Sequence, residues 1–190
     1  MAGSIDYGTS WVALCNRALA RLGKDRISSL SSGDETVNLC NVFLGEAIET
    51  VLSAYSWNAA KARVQLAMLA TDPAYGYSNA FALPSDMVNI ASVDAGGADY
   101  RHEGSSILTD AAEVWITYIA RPTDPKALPA YLKRAISAEL AYLLSTPIAT
   151  SETLAARIKA EAQAALEEAI AADARRSPPQ AAEPFYTEAR

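Results

Sequence analysis

Four carboxylates, Asp94, Asp99, Glu103 and Asp110, fall close together in the middle of the chain. Two acids facing each other across a cleft are what glycoside hydrolysis requires, one to protonate the leaving oxygen and one to attack or to activate water. Acids that flank turns have a plainer role, which is to stay solvated. His102, the single histidine, precedes Glu103, but successive strand residues point to opposite faces, so the two do not share a site. One imidazole also removes most His-rich metal sites and leaves any Ser/His/Asp triad dependent on that ring. Cys15 and Cys40 stand in apolar helical patterns outside any CxxC, which predicts reduced core thiols and no zinc. Ser28, Ser29, Ser31 and Ser32 precede a helix without a surrounding GxSxG, so they read as capping hydroxyls. No GxxxxGK[ST] is present, and Gly96-Gly97 reads as a hairpin turn. The expectation is a protein without catalysis, cofactor or metal.

The elements that would carry these residues follow from the apolar spacing. Trp11, Leu14, Cys15, Ala18, Leu19 and Leu22 recur at helical intervals, with Thr9 or Ser10 to cap and Gly23 to stop. Ser32-Gly33-Asp34-Glu35 has the form of a capping box before a second helix, whose stripe runs through Val37, Cys40, Leu44, Ile48, Val51, Leu52 and Tyr55. Leu39 and Phe43 lie off that stripe, which predicts that this helix is central. From Lys61 to Met68 the period drops to two, the mark of a half-buried strand. Further strands are expected at Met87 to Val93, Tyr100 to Glu103, Ser106 to Leu108 and Val114 to Ala120, with turns at 95–98 and 103–105, making one small antiparallel sheet. Pro129 opens a third helix that ends near Ser145, and a fourth runs from about Glu152 to Arg175.

The fold class read here is α+β: about four helices, the last one long, with an inserted antiparallel β lobe and an extended C-terminal tail. The corresponding division is a helical part from 1–60 and 122–176, a lobe from 61–121 and an arm from 177–190. Helix four shows an alanine-dominated side, Leu154, Ile158, Ala162, Ala165 and Ala169, which predicts close packing against a flat neighbour such as another copy of the chain. Trp57 and Asn58, at the helix-to-strand passage, are expected to anchor the two parts on each other.

The 190 residues are 51% apolar and 20% charged, enough for a core and too apolar for disorder. A net charge of −6 has the wrong sign for gripping a phosphate backbone. No apolar run approaches the roughly 20 residues that span a bilayer, and the first residues lack a basic, greasy leader, so a soluble protein made in the cytoplasm is expected.

The series Ala13-Leu14-Cys15-Asn16-Arg17-Ala18-Leu19-Ala20-Arg21-Leu22-Gly23, Ile27-Ser28-Ser29-Leu30 and Ser56-Trp57-Asn58-Ala59-Ala60 continues through Pro73-Ala74-Tyr75-Gly76-Tyr77, Leu83-Pro84-Ser85-Asp86, Tyr100-Arg101-His102-Glu103-Gly104 and Tyr118-Ile119-Ala120-Arg121. In that order it resembles the tail tubular protein A family, the head-to-tail adaptors of short-tailed bacteriophages and related particles. Ser56 and Ala59 depart from the family's more usual proline before and aromatic after the Trp-Asn pair, which leaves the subtype open. The resemblance implies a structural virion protein made in the host bacterium. It would form a ring, commonly of twelve copies, at the head-tail junction between the portal protein and the next tail component (nozzle, tube or stopper). Double-stranded DNA would pass through its bore. It also implies a portal joint made by the C-terminal segment, here Arg175, Arg176, Pro178, Pro179, Phe185 and Tyr186. The alternative expectation is a tail-associated, carbohydrate-degrading hydrolase using the acids of the lobe.

Overall fold

The computed structural model describes residues 10–148 and 151–176. It is a mixed α+β fold with four α-helices and two antiparallel sheets among the described residues. Helix α1 (Trp11–Arg21) starts where Ser10 Oγ accepts the Ala13 N–H at 3.1 Å. It ends at Gly23, whose φ of +68° lets its own N–H reach Ala20 O and lets the Lys24 N–H reach Leu19 O, closing off the last carbonyls. Asn16 then clamps the connection to α2 (Glu35–Ser53) with two bonds to the Ile27 backbone, at 2.8 and 2.9 Å. The expected capping box is absent. Asp34, not Ser32, is the N-cap of α2, because the Ser32 hydroxyl donates to the Asp34 carboxylate and Glu35 sits at the first helical position, too early to reach back.

After a single 3₁₀ turn at Asn58–Ala60, the chain enters seven strands: β1 (Lys61–Gln65), β2 (Ala67–Met68), β3 (Asn79–Ala82), β4 (Met87–Asp94), β5 (Tyr100–Glu103), β6 (Ser106–Thr109) and β7 (Trp115–Ala120). They form two sheets rather than the one expected, a first of order β1-β7-β4 and a second of order β2-β3-β6-β5. The alternating run from Lys61 is accordingly divided at Leu66, which is buried and bonds through its N–H to Val114 O, so that β1 and β2 join different sheets. The Gly96-Gly97 turn, with φ of +65° and +85°, is likewise no hairpin, since it carries the chain from one sheet to the other. Gly104, at φ +57°, does close a two-residue hairpin between β5 and β6. Strand β3 was not anticipated: Asn79-Ala-Phe-Ala is short and alanine-rich, and only pairing with β2 and β6 makes it a strand. The inner faces of the two sheets share a core of Leu66, Phe81, Ile107, Val114, Ile116 and Tyr118.

Helix α3 (Ala130–Ile148) follows Pro129, whose carbonyl accepts the Lys133 N–H, and it includes Pro147 rather than stopping near Ser145. It is followed by α4 (Glu152–Ala174). The central helix is α3, not α2: residues around most of its girth, among them Leu132, Ala135, Ser137, Ala138, Leu140 and Ala141, are buried by the other three helices, whereas α2 leaves Asn41, Val42, Gly45 and Glu49 exposed. The helical core joins Leu19, Cys40, Ala47, Leu140, Leu144 and Ile158. Ile119, on the face of the first sheet turned away from the lobe core, packs into a second cluster with Val51, Leu52, Trp57 and Leu132. No helix among the described residues is long and apolar enough to cross a membrane.

Candidate functional site

The passage from α2 into β1 is built around Trp57. Its indole is fully buried, donates from Nε1 to Val51 O at 2.8 Å, meets Tyr55 edge-on at 5.2 Å and lies stacked against Tyr131 at 6.4 Å between ring centroids. The next residue, Asn58, donates its backbone N–H to Asp173 Oδ2 at 2.8 Å and its side-chain Nδ2 to the same oxygen at 3.0 Å. Tyr131, at the start of α3, donates its hydroxyl to Asp173 Oδ1 at 2.6 Å. One carboxylate from the last turn of α4 thus holds the entry to the lobe and the start of α3 together. Asp173 is 0% exposed and sits at the helix end where the macrodipole disfavours an anion, so its three donors must offset a sizeable desolvation cost.

Burial, reinforced by the hydrogen bond and the negative charge of Asp173, pushes the Tyr131 phenol up from 10 to about 12, while the Arg176 guanidinium, 5.1 Å above the ring, opposes the rise. An ion pair between Arg121, just after β7, and Glu49 of α2 adds an exposed tie across the same passage. Trp57 and Asn58 thus meet α3 and the end of α4 at the helix-to-strand passage. Asp173 and Tyr131 were missed, although one signal was legible: Asp173 continues the helical spacing of Ala162, Ala165 and Ala169.

The lobe acids are arranged differently. Asp99, Glu103 and Asp110 line one open groove of about 590 Å³ beneath the Pro73–Tyr77 loop, with Arg101 among them. Asp94 does not join them; it stands directly across from the half-exposed Trp115 on the first sheet. All four acids are exposed. Asp110 Oδ1 accepts the Ser78 N–H at 2.8 Å, Asp94 Oδ1 accepts the Gly96 N–H at 3.0 Å, and Glu103 lies 3.8 Å from Arg101. The Asp94 and Asp110 contacts tie a turn and the start of β3, as expected of short polar side chains in loops, and the Glu103 contact stays within β5. The exposed His102 has Nε2 3.1 Å from Gly104 O, within its own hairpin. Cys15 and Cys40 are free and buried side by side, and their contact with each other, followed by burial, pushes the Cys15 thiol up. Among the described residues no group of three or more His, Cys, Asp and Glu is placed to hold a metal.

The expectation for α4 needs correction. Ile158, Ala162, Ala165 and Ala169 are buried within the chain itself, Ala162 and Ala165 against Ala138 of α3, Ile158 in the helical core and Ala169 beside the Trp57 cluster. Small side chains let α4 approach α3 closely, and the surface they cover is no longer free for a neighbouring copy. Leu154, half-buried, packs on the same core. Arg175 and Arg176 follow α4, with the Arg176 N–H returning to Asp173 O at 3.0 Å. Pro178, Pro179, Phe185 and Tyr186 lie outside the described residues.

No protein-family model matches the chain, and no curated protein matches it closely enough to count as a relative.

Proposed function

We propose that this chain is a structural head-to-tail adaptor of a phage-like particle, a wedge repeated around an axis between a portal protein and the next tail component, with a bore for DNA. In this reading the helical part (1–60 and 122–176) is the ring body, 61–121 is a lobe, and 177–190 is an arm toward the portal. The observation that carries it is the Asp173 junction. A repeated wedge must present the same angle in every copy, and a buried carboxylate whose donors come from the lobe entry and from α3 fixes such an angle. The resemblance of the ordered residue series to that of tail adaptors supports the reading, as does a net charge of −6, which repels DNA from a bore rather than retaining it.

Mixing the purified chain with portal protein and measuring mass by light scattering tests it. A large complex seen as a ring by electron microscopy is expected, and a chain that stays at 20.2 kDa under all conditions overturns it. A chain ending at Arg176 is expected to fold and to fail in joining heads to tails. The hydrolase reading draws on the gathering of Asp99, Glu103 and Asp110 around one groove. Turnover of a bacterial surface polysaccharide, abolished by Glu103→Gln or Asp110→Asn, would replace the adaptor reading.

A further inference from the structure

The first sheet shows one face in two settings. Cross-strand partners point to the same side, so the face turned away from the lobe core carries three rows: Lys61, Ile119 and Asn89; Arg63, Thr117 and Ser92; Gln65, Trp115 and Asp94. In the first row Ile119 is buried against the helices, whereas in the last the indole of Trp115 is 49% exposed between the exposed Gln65 and Asp94. The ring stands as a ridge between two open cavities. One, of about 450 Å³, is bordered by Ala95, Ala98 and Glu113, and the other, of about 260 Å³, by Arg63, Ser92 and Thr117; Asp94 lines both. The polar groups around the ring are uncommitted. Among the described residues Trp115 Nε1, the Arg63 guanidinium and the hydroxyls of Ser92 and Thr117 have no hydrogen-bond or ion-pair partner, and Asp94 engages only Oδ1, with the Gly96 N–H. Gln65 donates to Glu113 Oε2 at 2.9 Å, which occupies one oxygen of that carboxylate.

We infer that this end of the first sheet binds a neutral oligosaccharide, with one sugar ring lying on Trp115 and its neighbours in the two cavities. The surroundings of the indole select that class. A protein-docking centre is apolar within a polar rim, but here every cross-strand neighbour of the ring, in its own row and in the next, is polar. A nucleic-acid backbone needs several cations, and Arg63 is the one cation among the described residues bordering the cavities. A cationic ligand would meet that same unpaired guanidinium. A neutral sugar ring carries no charge, offers an apolar C–H face to an indole, and surrounds that face with hydroxyls that both donate and accept. These match Arg63 as a donor, Asp94 Oδ2 as an acceptor, and the hydroxyls of Ser92 and Thr117 as either. The larger cavity alone has the volume of a small-ligand site. The site needs one copy of the chain and none of the groove acids Asp99, Glu103 and Asp110, so it stands apart from both the ring and the hydrolase readings.

The test titrates the full chain with maltohexaose, cellohexaose and xylohexaose in a calorimeter. Saturable binding of at least one of them is expected, with a Kd on the order of 1 mM or tighter. Trp115→Ala is expected to remove it and Trp115→Phe to retain part of it. Arg63→Gln, and Asp94→Asn, which keeps the Gly96 bond but turns the second oxygen into a donor, are each expected to weaken it about tenfold at an unchanged melting temperature. The bound sugar is also expected to shield tryptophan fluorescence from acrylamide, since Trp57 is buried and Trp11 packs on the helical cluster. Binding that survives Trp115→Ala, or that is lost in Glu103→Gln, overturns the placement. No heat with any of the three sugars overturns the inference, as does a response at Trp115 to tetralysine in their place.

Discussion

The junction and the lobe groove hold the same kind of side chain in opposite circumstances. Asp173 is buried, accepts three hydrogen bonds and joins segments far apart in sequence, from Asn58 to Tyr131. Asp94, Asp99, Glu103 and Asp110 are exposed; the bond of Asp94 ties its own turn, and that of Asp110 holds the Ser78 N–H at the start of β3 in an exposed setting. A carboxylate's contribution is set by what surrounds it: buried with partners it fixes geometry at a high cost of disruption, and in water it contributes little.

The sharpest way to break that contrast is at its largest side chain. Trp57→Ala removes the indole over which α2, α3, α4 and β7 meet and is expected to lower unfolding stability by about 3–5 kcal/mol, read from denaturant midpoints; an unchanged midpoint would place the lobe's anchorage elsewhere. Asp173→Ala leaves the Asn58 N–H and the Tyr131 hydroxyl without their acceptor and is expected to cost about 2–3 kcal/mol. Tyr131→Phe keeps the ring stack, loses one bond to a charged acceptor and is expected to cost about 1–2 kcal/mol. It also changes the alkaline limb. The folded phenol titrates near 12 and the unfolded one near 10, so between those values the folded chain holds a proton that the unfolded chain has released. Stability therefore falls as pH rises through that window, and the phenylalanine variant is expected to flatten the fall. At the other extreme, Glu103→Gln in the exposed groove is expected to shift stability by no more than about 0.5 kcal/mol. A cost above 2 kcal/mol there would erase the contrast between the two regions.

Much of the helical part was legible because its signals are local. Ser10 and Gly23 bound α1 as their chemistry dictates, and the apolar stripes of α1 and α2 fall on buried faces. The burial of Trp57 was legible because a large ring between two kinds of periodicity has to pack against something. Its partners were less so. Asp173 looks in sequence like any acid near a helix end, and Tyr131 like an ordinary member of an apolar stripe; only the meeting of α4 with α3 pairs them. The alanine side of α4 misled for the same reason, since small residues mark close approach without naming the partner, and the partner is α3 of the same chain. In the lobe the alternation from Lys61 to Met68 was right as a period and wrong as a single strand, because a bend at a buried Leu66 leaves the period undisturbed.

What the amino-acid order settled alone is what depends on neighbours within a turn or a pleat: the bounds of α1, most of the extended stretches, and that the chain is a mixed α+β protein of negative charge. Tertiary structure decided which helix lies at the centre, how seven strands divide between two sheets, and that a carboxylate near the end of α4 becomes the pin between lobe and helices. Those outcomes depend on contacts between residues far apart in sequence, such as Asn58 with Asp173, 115 positions on, and nothing in the local spacing of either residue encodes the other.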